Sequence, residues 1–459
     1  MVIDHYGAFF LFVCTGVVGW LSRPIAKEET TKAFRDYRLS FLLAYGFISA
    51  AEFFMIPYGA ILFSQLNFSG EEVSSMNVWA NPPAYFTLLQ AGAIADCYGR
   101  KRVSFVGTVA LAVTCMLTHV RFFWSMVLGI FLSRNALTIY SEVTQSWLVQ
   151  EHVVRHGFSG GLLNHMFAMM FVIRYAVATL SGYIVSLLCI GKTDFPISKD
   201  SFVHFGGIHA AFEAGMVCSV ISCVVIATRW NESSPGLSKE PAGHLAYIRE
   251  ACMVLYTDVR VVLVGIVVAA SAATRNIYFH HWHNAMHSQD KAWRLTLLNT
   301  VFMMSTMCGV SLCTVLGSRL PGSFRSSALT LGACLLGGSL SMLLAAFTCM
   351  REEQLGVCVF AMVMFQFSLG CSEPVAGVLK GEIVPDRVRS TIYVLFAFLG
   401  SFVGDAQQGI TPDKAFLRGS MMLLASLGFL AALGFSSTPA VVGEGRDVDG
   451  FYQQVAKVV

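Results

Sequence analysis

Seven ionisable residues fall inside long apolar windows of this sequence: Glu52, Arg134, Glu142, Arg174, Glu213, Arg275 and Glu373. A charge in a hydrocarbon setting is costly unless it faces a partner or water, so each marks either a working site or a locking ion pair. Arg174 and Arg275 stand out because each lies in the middle of its window, one in each half of the chain. A guanidinium fork suits the oxygens of an oxyanion, so two of them predict an anion site that Arg134 and Glu142 extend. The competing reading is an interhelical ion pair that fixes packing, for example Arg174 with Glu142. Glu52 and Glu373 are the candidates for carrying a proton, because a carboxyl removed from water can exchange its charge for one. Glu373 directly precedes Pro374, where a helix loses a backbone hydrogen bond and bends. For both acids the plainer alternative is a buried, hydrogen-bonded carboxyl with a structural part only. Glu213 is the weakest of the seven.

Other reactive residue types carry less. His280, His281, His283 and His287 crowd the end of one window, and His283 and His287 would share a helical face. That spacing suits a metal or a pH sensor, but no carboxylate or cysteine stands at ligand distance along the chain, so no metal is expected. The thirteen cysteines include no CxxC pair and mostly sit in apolar windows, as Cys115, Cys218, Cys223, Cys313 and Cys358 do. There they act as small hydrophobes, and no disulfide framework or zinc site follows. Phe53, Phe54, Tyr58 and Phe86 recur at helical spacing and read as packing or lipid-facing residues. With no P-loop and no GxSxG elbow, neither ATP-driven transport nor serine hydrolysis has a motif, and no enzyme activity or cofactor is expected.

The elements that position these charges are transmembrane helices. Of the 459 residues, 55% are apolar and 13% charged, a balance that requires lipid as solvent. Apolar windows predict thirteen spans near 6–22, 39–63, 78–96, 103–120, 122–150, 160–190, 206–229, 259–281, 296–318, 325–348, 353–380, 388–405 and 417–437. The first lacks a basic leader and is followed by Arg23, Lys27, Lys32, Arg35 and Arg38, so it reads as a retained anchor. Twenty of the thirty-one lysines and arginines fall on one set of alternate loops, eight on the other and three within spans. The positive-inside rule then places the N-terminus outside and the C-terminus in the cytosol.

The organisation expected is an anchor and basic linker over 1–38, a six-helix half over 39–229 and an inter-half loop over 230–258. A second six-helix half over 259–437 and a cytosolic tail over 438–459 complete it. The plasma membrane is the default location, since no clear retention signal directs otherwise. Asn67-Phe68-Ser69 offers an N-glycan acceptor at Asn67 on the outer side. The expected partners are the lipid bilayer and a small anionic substrate. No basic tract is dense enough for nucleic acid.

Between the third and fourth spans the chain reads Gly92-Ala93-Ile94-Ala95-Asp96-Cys97-Tyr98-Gly99-Arg100-Lys101-Arg102. This resembles the GxxxDxxGRKR loop of the major facilitator superfamily. The resemblance implies an all-α membrane fold of twelve core helices in two halves, here with one added N-terminal span. The substrate site would lie between the halves near mid-membrane. It also implies a conformational gate in which Asp96, with Gly92, Gly99, Arg100 and Lys101, faces the helix that starts at Arg387, Arg389 and Ser390. In the second half only Gly317-Ser318-Arg319-Leu320-Pro321-Gly322 is a weak counterpart.

A narrower resemblance follows from Gln145-Ser146-Trp147-Leu148-Val149-Gln150-Glu151-His152-Val153-Val154-Arg155-His156-Gly157-Phe158. It is similar to the EAW-x-x-x-EH-x-x-RxxF signature of the molybdate-anion transporter family. Ala50-Ala51-Glu52 with Pro57, Arg229-Trp230-Asn231-Glu232 and Pro385-Asp386-Arg387-Val388-Arg389-Ser390-Thr391-Ile392 resemble further family segments. The implied function is secondary active transport of molybdate or a similar oxyanion by alternating access, with Gln145 near the substrate. Two departures stand out: Gln145 replaces the family's glutamate, and Ala272 stands where an acid is expected. The family's arginine early in the fourth core helix has no clean match, Arg134 lying one turn nearer Trp147. The alternatives are a transport-inactive relative serving as receptor or scaffold, and a carrier of an organic solute.

Overall fold

The computed structural model describes residues 31–158, 160–189, 194–196, 204–232, 243–285, 292–319 and 324–436. The expected anchor helix over 6–22, His287, most of the tail and Ser233 to Pro241 of the inter-half loop lie outside the described residues.

The first described helix, α1 (Lys32–Met55), starts seven residues before its apolar window. Thr31 caps it by accepting a bond from the Phe34 amide at 3.2 Å. Phe34 and Tyr37 are buried while Lys32, Arg35 and Arg38 stay exposed or partly exposed, so from Lys32 on the basic stretch forms the first two turns of a helix. Pro57 interrupts the helix in a tight turn over Ile56–Tyr58, and α2 (Gly59–Gln65) resumes it. Next, α3 (Gly70–Tyr98) opens on a capping box between Ser69 and Glu72. Gly99, at φ +115°, turns the chain into α4 (Arg100–Leu117).

The fourth passage is α5 (Phe123–Thr138) and α6 (Thr144–Val149), with wider π turns over Ile139–Val143 and Gln150–Arg155. Such turns cluster at functional sites because the inserted residue re-aims its neighbours. After α7 (Gly160–Cys189), a short antiparallel pair, β1 (Asp194–Pro196) and β2 (His204–Gly206), precedes α8 (His209–Arg229). The amphipathic stretch between the halves forms α9 (His244–Thr257). The second half is α10 (Val259–Ala285), α11 (Ala292–Arg319), α12 (Phe324–Thr348), α13 (Leu355–Ile383), α14 (Arg389–Asp405) and α15 (Pro412–Ser436).

Among the described residues there are therefore six helical passages before α9 and six after it. Eight helices among the described residues are long and apolar enough to cross a membrane. The passages α3, α4, α5–α6 and α11 are not among them: the Arg100-Lys101-Arg102 triplet loads α4, and the π turn over Ile139–Val143 divides α5 from α6.

The two halves repeat one packing scheme. In the first, α1 packs on α7 and α8, α4 on α5 and α8, and α3 on α5; in the second, α10 packs on α14 and α15, α12 on α13 and α15, and α11 on α13. The halves meet chiefly where α3 lies along α14 and α7 along α11, with α7 also touching α13. At the end that holds Arg100-Lys101-Arg102, called the basic end below, α9 lies across α3 and α14. Its Tyr247, Ala251 and Val254 pack with Ala93, Val384, Val388 and Ile392. Phe53, Phe54 and Tyr58 are buried in the main core, whereas Phe86 is exposed on the bundle's outside.

Candidate functional site

Four levels of buried charge run through the seam between the halves. At the centre, the Arg174 guanidinium on α7 donates to Glu52 on α1 at 2.6 Å. It also donates to the Tyr140 hydroxyl at 3.2 Å and the Tyr45 hydroxyl at 3.4 Å. The rings of Phe53 and Tyr140 lie 5.6 and 5.4 Å from its carbon, a cation–π enclosure. From the other half, Arg275 on α10 donates to Glu373 on α13 at 2.8 Å. Tyr175, the neighbour of Arg174 in sequence, donates its hydroxyl to the second oxygen of Glu373 at 2.5 Å and so crosses between the halves. The expected charges Arg174, Arg275, Glu52 and Glu373 therefore converge in one cluster. Arg174 takes Glu52 as its carboxylate, not Glu142.

Both acids sit beside a weakened backbone. Pro374 follows Glu373 within α13, and Pro57 ends α1 five residues after Glu52. One oxygen of Glu52, Oε2, is buried and accepts no hydrogen bond. The Arg275 side chain is 33% exposed against 13% for Arg174, so the second-half arginine is the more open of the two.

Glu142 belongs to a second level toward the basic end, where it accepts from Lys380 on α13 at 2.9 Å across the halves. The Lys380 ammonium also lies 4.4 Å from the Tyr393 ring centroid. Gln145, one turn on, is buried, and its Oε1 accepts no hydrogen bond. Ala272 lies elsewhere, in the close contact between α10 and α14: a Cβ added to Gly400 would come within 2.6 Å of the Ala272 Cβ.

At the basic end, Asp96 is fully buried and accepts from the Ser390 amide at 3.2 Å, the Thr391 amide at 2.8 Å and the Thr391 hydroxyl at 2.8 Å. These are the orphan donors of the first turn of α14, where a negative charge is stabilised. Arg100, also fully buried, donates to Asp96 at 2.9 Å, Asp386 at 3.0 Å, Gln150 at 2.6 Å and the Ser390 hydroxyl at 3.0 Å. Gly92 makes this approach feasible, since a Cβ there would meet the Ser390 carbonyl oxygen at 2.5 Å. Of the other residues assigned to this gate, Lys101 donates to the Ala227 carbonyl within its own half at 2.9 Å. Arg387 pairs with Glu250 on α9 at 3.1 Å, and Arg389 pairs with Asp386.

Arg134 takes no part in the central cluster. It lies toward the opposite end, where Asp405, the last residue of α14, accepts from both Arg134 and the Tyr85 hydroxyl of the first half. His280 Nε2 on α10 and Gln408 Nε2 each lie 3.0 Å from the other oxygen of Asp405. His281 contacts the Gln407 carbonyl at 2.9 Å, and the His283 ring lies against Trp282. Glu213 lies away from the seam, 3.5 Å from the Gly206 amide.

The signature around Trp147 builds a collar at the basic end of the first half. Trp147 stacks on Trp230 with ring centroids 4.0 Å apart and donates its indole N–H to the Asn231 carbonyl at 3.0 Å. Tyr37 of α1 donates to the Leu148 carbonyl, and Asn231 donates to Glu151 at 3.3 Å. The motif thus ties α1, the α6 passage and the end of α8 together, with Arg155 and His156 both facing Glu151.

Sequence reasoning misses Lys380, Asp405, Tyr175 and Asp386. Lys380 reads as a loop charge, although it lies within α13, which runs on to Ile383. Asp405 reads as no more than a span's last residue. Tyr175 has a usable signal in its adjacency to Arg174, and Asp386 in its place within the Pro385 to Ile392 segment.

Comparison with known proteins agrees with this architecture. The family described as sugar transporters, 12 TM, matches residues 5–365. A molybdate-anion transporter of Takifugu rubripes is 20% identical over 396 residues, covering 82% of this chain and 79% of that protein. Among solved structures, the human organic anion transporter MFSD10 superposes with a TM-score of 0.61 at 13% identity, covering 86% of this chain and 99% of that one. The Escherichia coli fucose:proton symporter gives 0.61 at 12% identity, covering 88% and 99%.

Proposed function

The chain belongs to the major facilitator family of sugar transporters with 12 transmembrane segments and is a multi-pass membrane transporter; from that premise we propose that it carries a small oxyanion, molybdate or a close analogue, by alternating access. The observation that carries this reading is the central meeting of Arg174 and Arg275, one from each half, within a single cluster of side chains. Two guanidinium forks held at the seam provide planar, charge-assisted donors for an oxyanion from both sides. The molybdate-anion transport of the Takifugu relative gives the substrate class its first test.

The paired closures support alternating access. The Asp96 and Arg100 network closes the basic end, which faces the cytosol in this reading, and the Asp405 cluster joins the halves at the other. Rocking one half against the other breaks one set while the central charges stay between them. Asn67, exposed at the non-basic end in the turn between α2 and α3, is then the position for an N-glycan.

A second reading, transport of an organic anion, is favoured by the aromatic wall around Arg174 made of Phe53, Tyr45 and Tyr140. Molybdate uptake into proteoliposomes, with sulfate and an aromatic carboxylate as competitors, separates the two. Saturable uptake inhibited by sulfate, and lost in Arg174→Ala and Arg275→Ala, is expected. Uptake of the carboxylate alone favours the organic reading, and a folded protein that moves neither anion contradicts both.

A further inference from the structure

At the end opposite the basic one, a single carboxylate meets two partners of different kinds. Asp405 Oδ2 accepts from Arg134 on α5 and from the Tyr85 hydroxyl on α3, both in the first half. Its Oδ1 lies 3.0 Å from His280 Nε2 on α10, which belongs to the second half, as Asp405 itself does. Gln408 Nε2 stands 3.0 Å from each of these two atoms and completes a triangle. The contact between Arg134 and Asp405 therefore ties the halves together, whereas that between His280 and Asp405 stays within one of them.

The packing of α10 on α14 fixes the inner contact. A Cβ added to Gly404 would come within 2.7 Å of the Asn276 Cβ and 3.1 Å of the Ala273 carbonyl oxygen, so the two helices touch closely one turn before His280. His280 thus travels with Asp405 when the halves rock, and Arg134 does not. The His280 side chain is 35% exposed, against 20% for Arg134 and 10% for Asp405, so water reaches the imidazole while the ion pair beside it is largely dry.

We propose that His280 is a proton sensor at this end, which on protonation takes Asp405 from Arg134 and so releases the closure between the halves. With His280 neutral, one carboxylate faces one cation and the cluster is balanced. With His280 charged, the carboxylate faces two cations, and these repel each other across the seam. Separation of the halves removes Arg134 and leaves Asp405 wholly to His280. The open form then binds the proton more tightly than the closed one, and by linkage acid populates the open form. Imidazole suits the task because its charge changes in the range where a guanidinium stays charged throughout. The switch acts on the closure whatever solute is carried.

The other charged and titratable groups around His280 are engaged elsewhere. On its own helix, His281 lies within electrostatic reach but is turned to the Gln407 carbonyl, and the His283 ring lies against Trp282. Deeper along α10, Arg275 is held by Glu373 of α13. From α15, Arg418 donates to Gln407 at 2.7 Å, and Asp413 is held by Thr411 and Lys414 of its own turn. Asp405 is the acid for which His280 and Arg134 compete.

Hydrogen exchange of the purified full chain from about pH 8 to about pH 5.5, the span of histidine titration, tests the switch. Rates over 402–408 are read against those over 96–102 in the same molecule, and wild type against variants at each pH, so that the intrinsic pH dependence of exchange cancels. In wild type the ratio is expected to rise about fivefold or more as the pH falls. His280→Gln keeps a hydrogen-bond donor without the charge and is expected to hold the low ratio throughout. His280→Arg is charged at every pH and is expected to hold the high one. A wild-type ratio that stays flat or falls with acid overturns the proposal and needs no variant to fold. An equal rise in folded His280→Gln overturns it as well, by assigning the titration to another group.

Discussion

The two ends of the bundle are joined by different means. At the basic end a carboxylate, Asp96, binds backbone amides of α14, and a fully buried arginine ties it to Asp386, Gln150 and Ser390. At the opposite end one carboxylate, Asp405, gathers side chains alone: Arg134, Tyr85, His280 and Gln408. Backbone donors cannot rotate away, so the basic end opens only if whole helices separate. The opposite end opens when side chains change rotamer. The first closure is the stiffer of the two.

Breaking the stiff end has the largest expected effect. Asp96→Ala strips Arg100 of one of its two carboxylates and leaves two α14 amides without an acceptor, and removing one member of a buried pair costs about 3–5 kcal/mol. Thermal unfolding in detergent reads the loss. Hydrogen exchange should quicken over 96–102 and 386–392 and stay unchanged over 402–408. Gly92→Val comes next, because its Cβ would press on the Ser390 carbonyl and the Thr391 backbone, with an overpacking cost of about 1–3 kcal/mol. It should keep the basic end from closing, seen as the same exchange pattern at smaller amplitude.

Asp405→Asn keeps an acceptor for Tyr85 but removes the charge that meets Arg134, a loss of about 1–3 kcal/mol. Exchange should now quicken over 402–408 and not over 96–102. The same pattern from Asp405→Asn as from Asp96→Ala would erase the distinction between the ends. The smallest effect belongs to Arg387→Ala, whose half-exposed pair with Glu250 contributes at most about 1 kcal/mol, so transport and melting should be close to wild type.

How much of this is legible in the sequence follows the physics of each signal. Helix number and order are carried by apolar windows of membrane length, and the windows are readable even where α1 and α3 begin several residues early. Those early starts depend on caps and on one-sided burial, as at Thr31 and Ser69, which a hydropathy window averages away. The central charges are legible as charges in the wrong solvent. Their partners are not: Arg174 chooses Glu52 over Glu142 because of how α1, α7 and α13 pack, and no spacing along the chain encodes that. Lys380 and Asp405 are hidden for a related reason. Each sits at a helix end, where a charge normally reaches water, and only the packing of the other half buries it.

The central claim is that Arg174 and Arg275 form one anion site. Its most direct test is the thermal stability of the purified full chain against rising molybdate, with chloride as the control for ionic strength. A ligand at a hundred times its dissociation constant stabilises the folded state by about 2.7 kcal/mol. The expected result is a saturable rise in melting temperature with molybdate and with sulfate, absent in Arg174→Ala and in Arg275→Ala alike. A rise that survives in both folded variants, or no rise in wild type at any concentration, contradicts the claim.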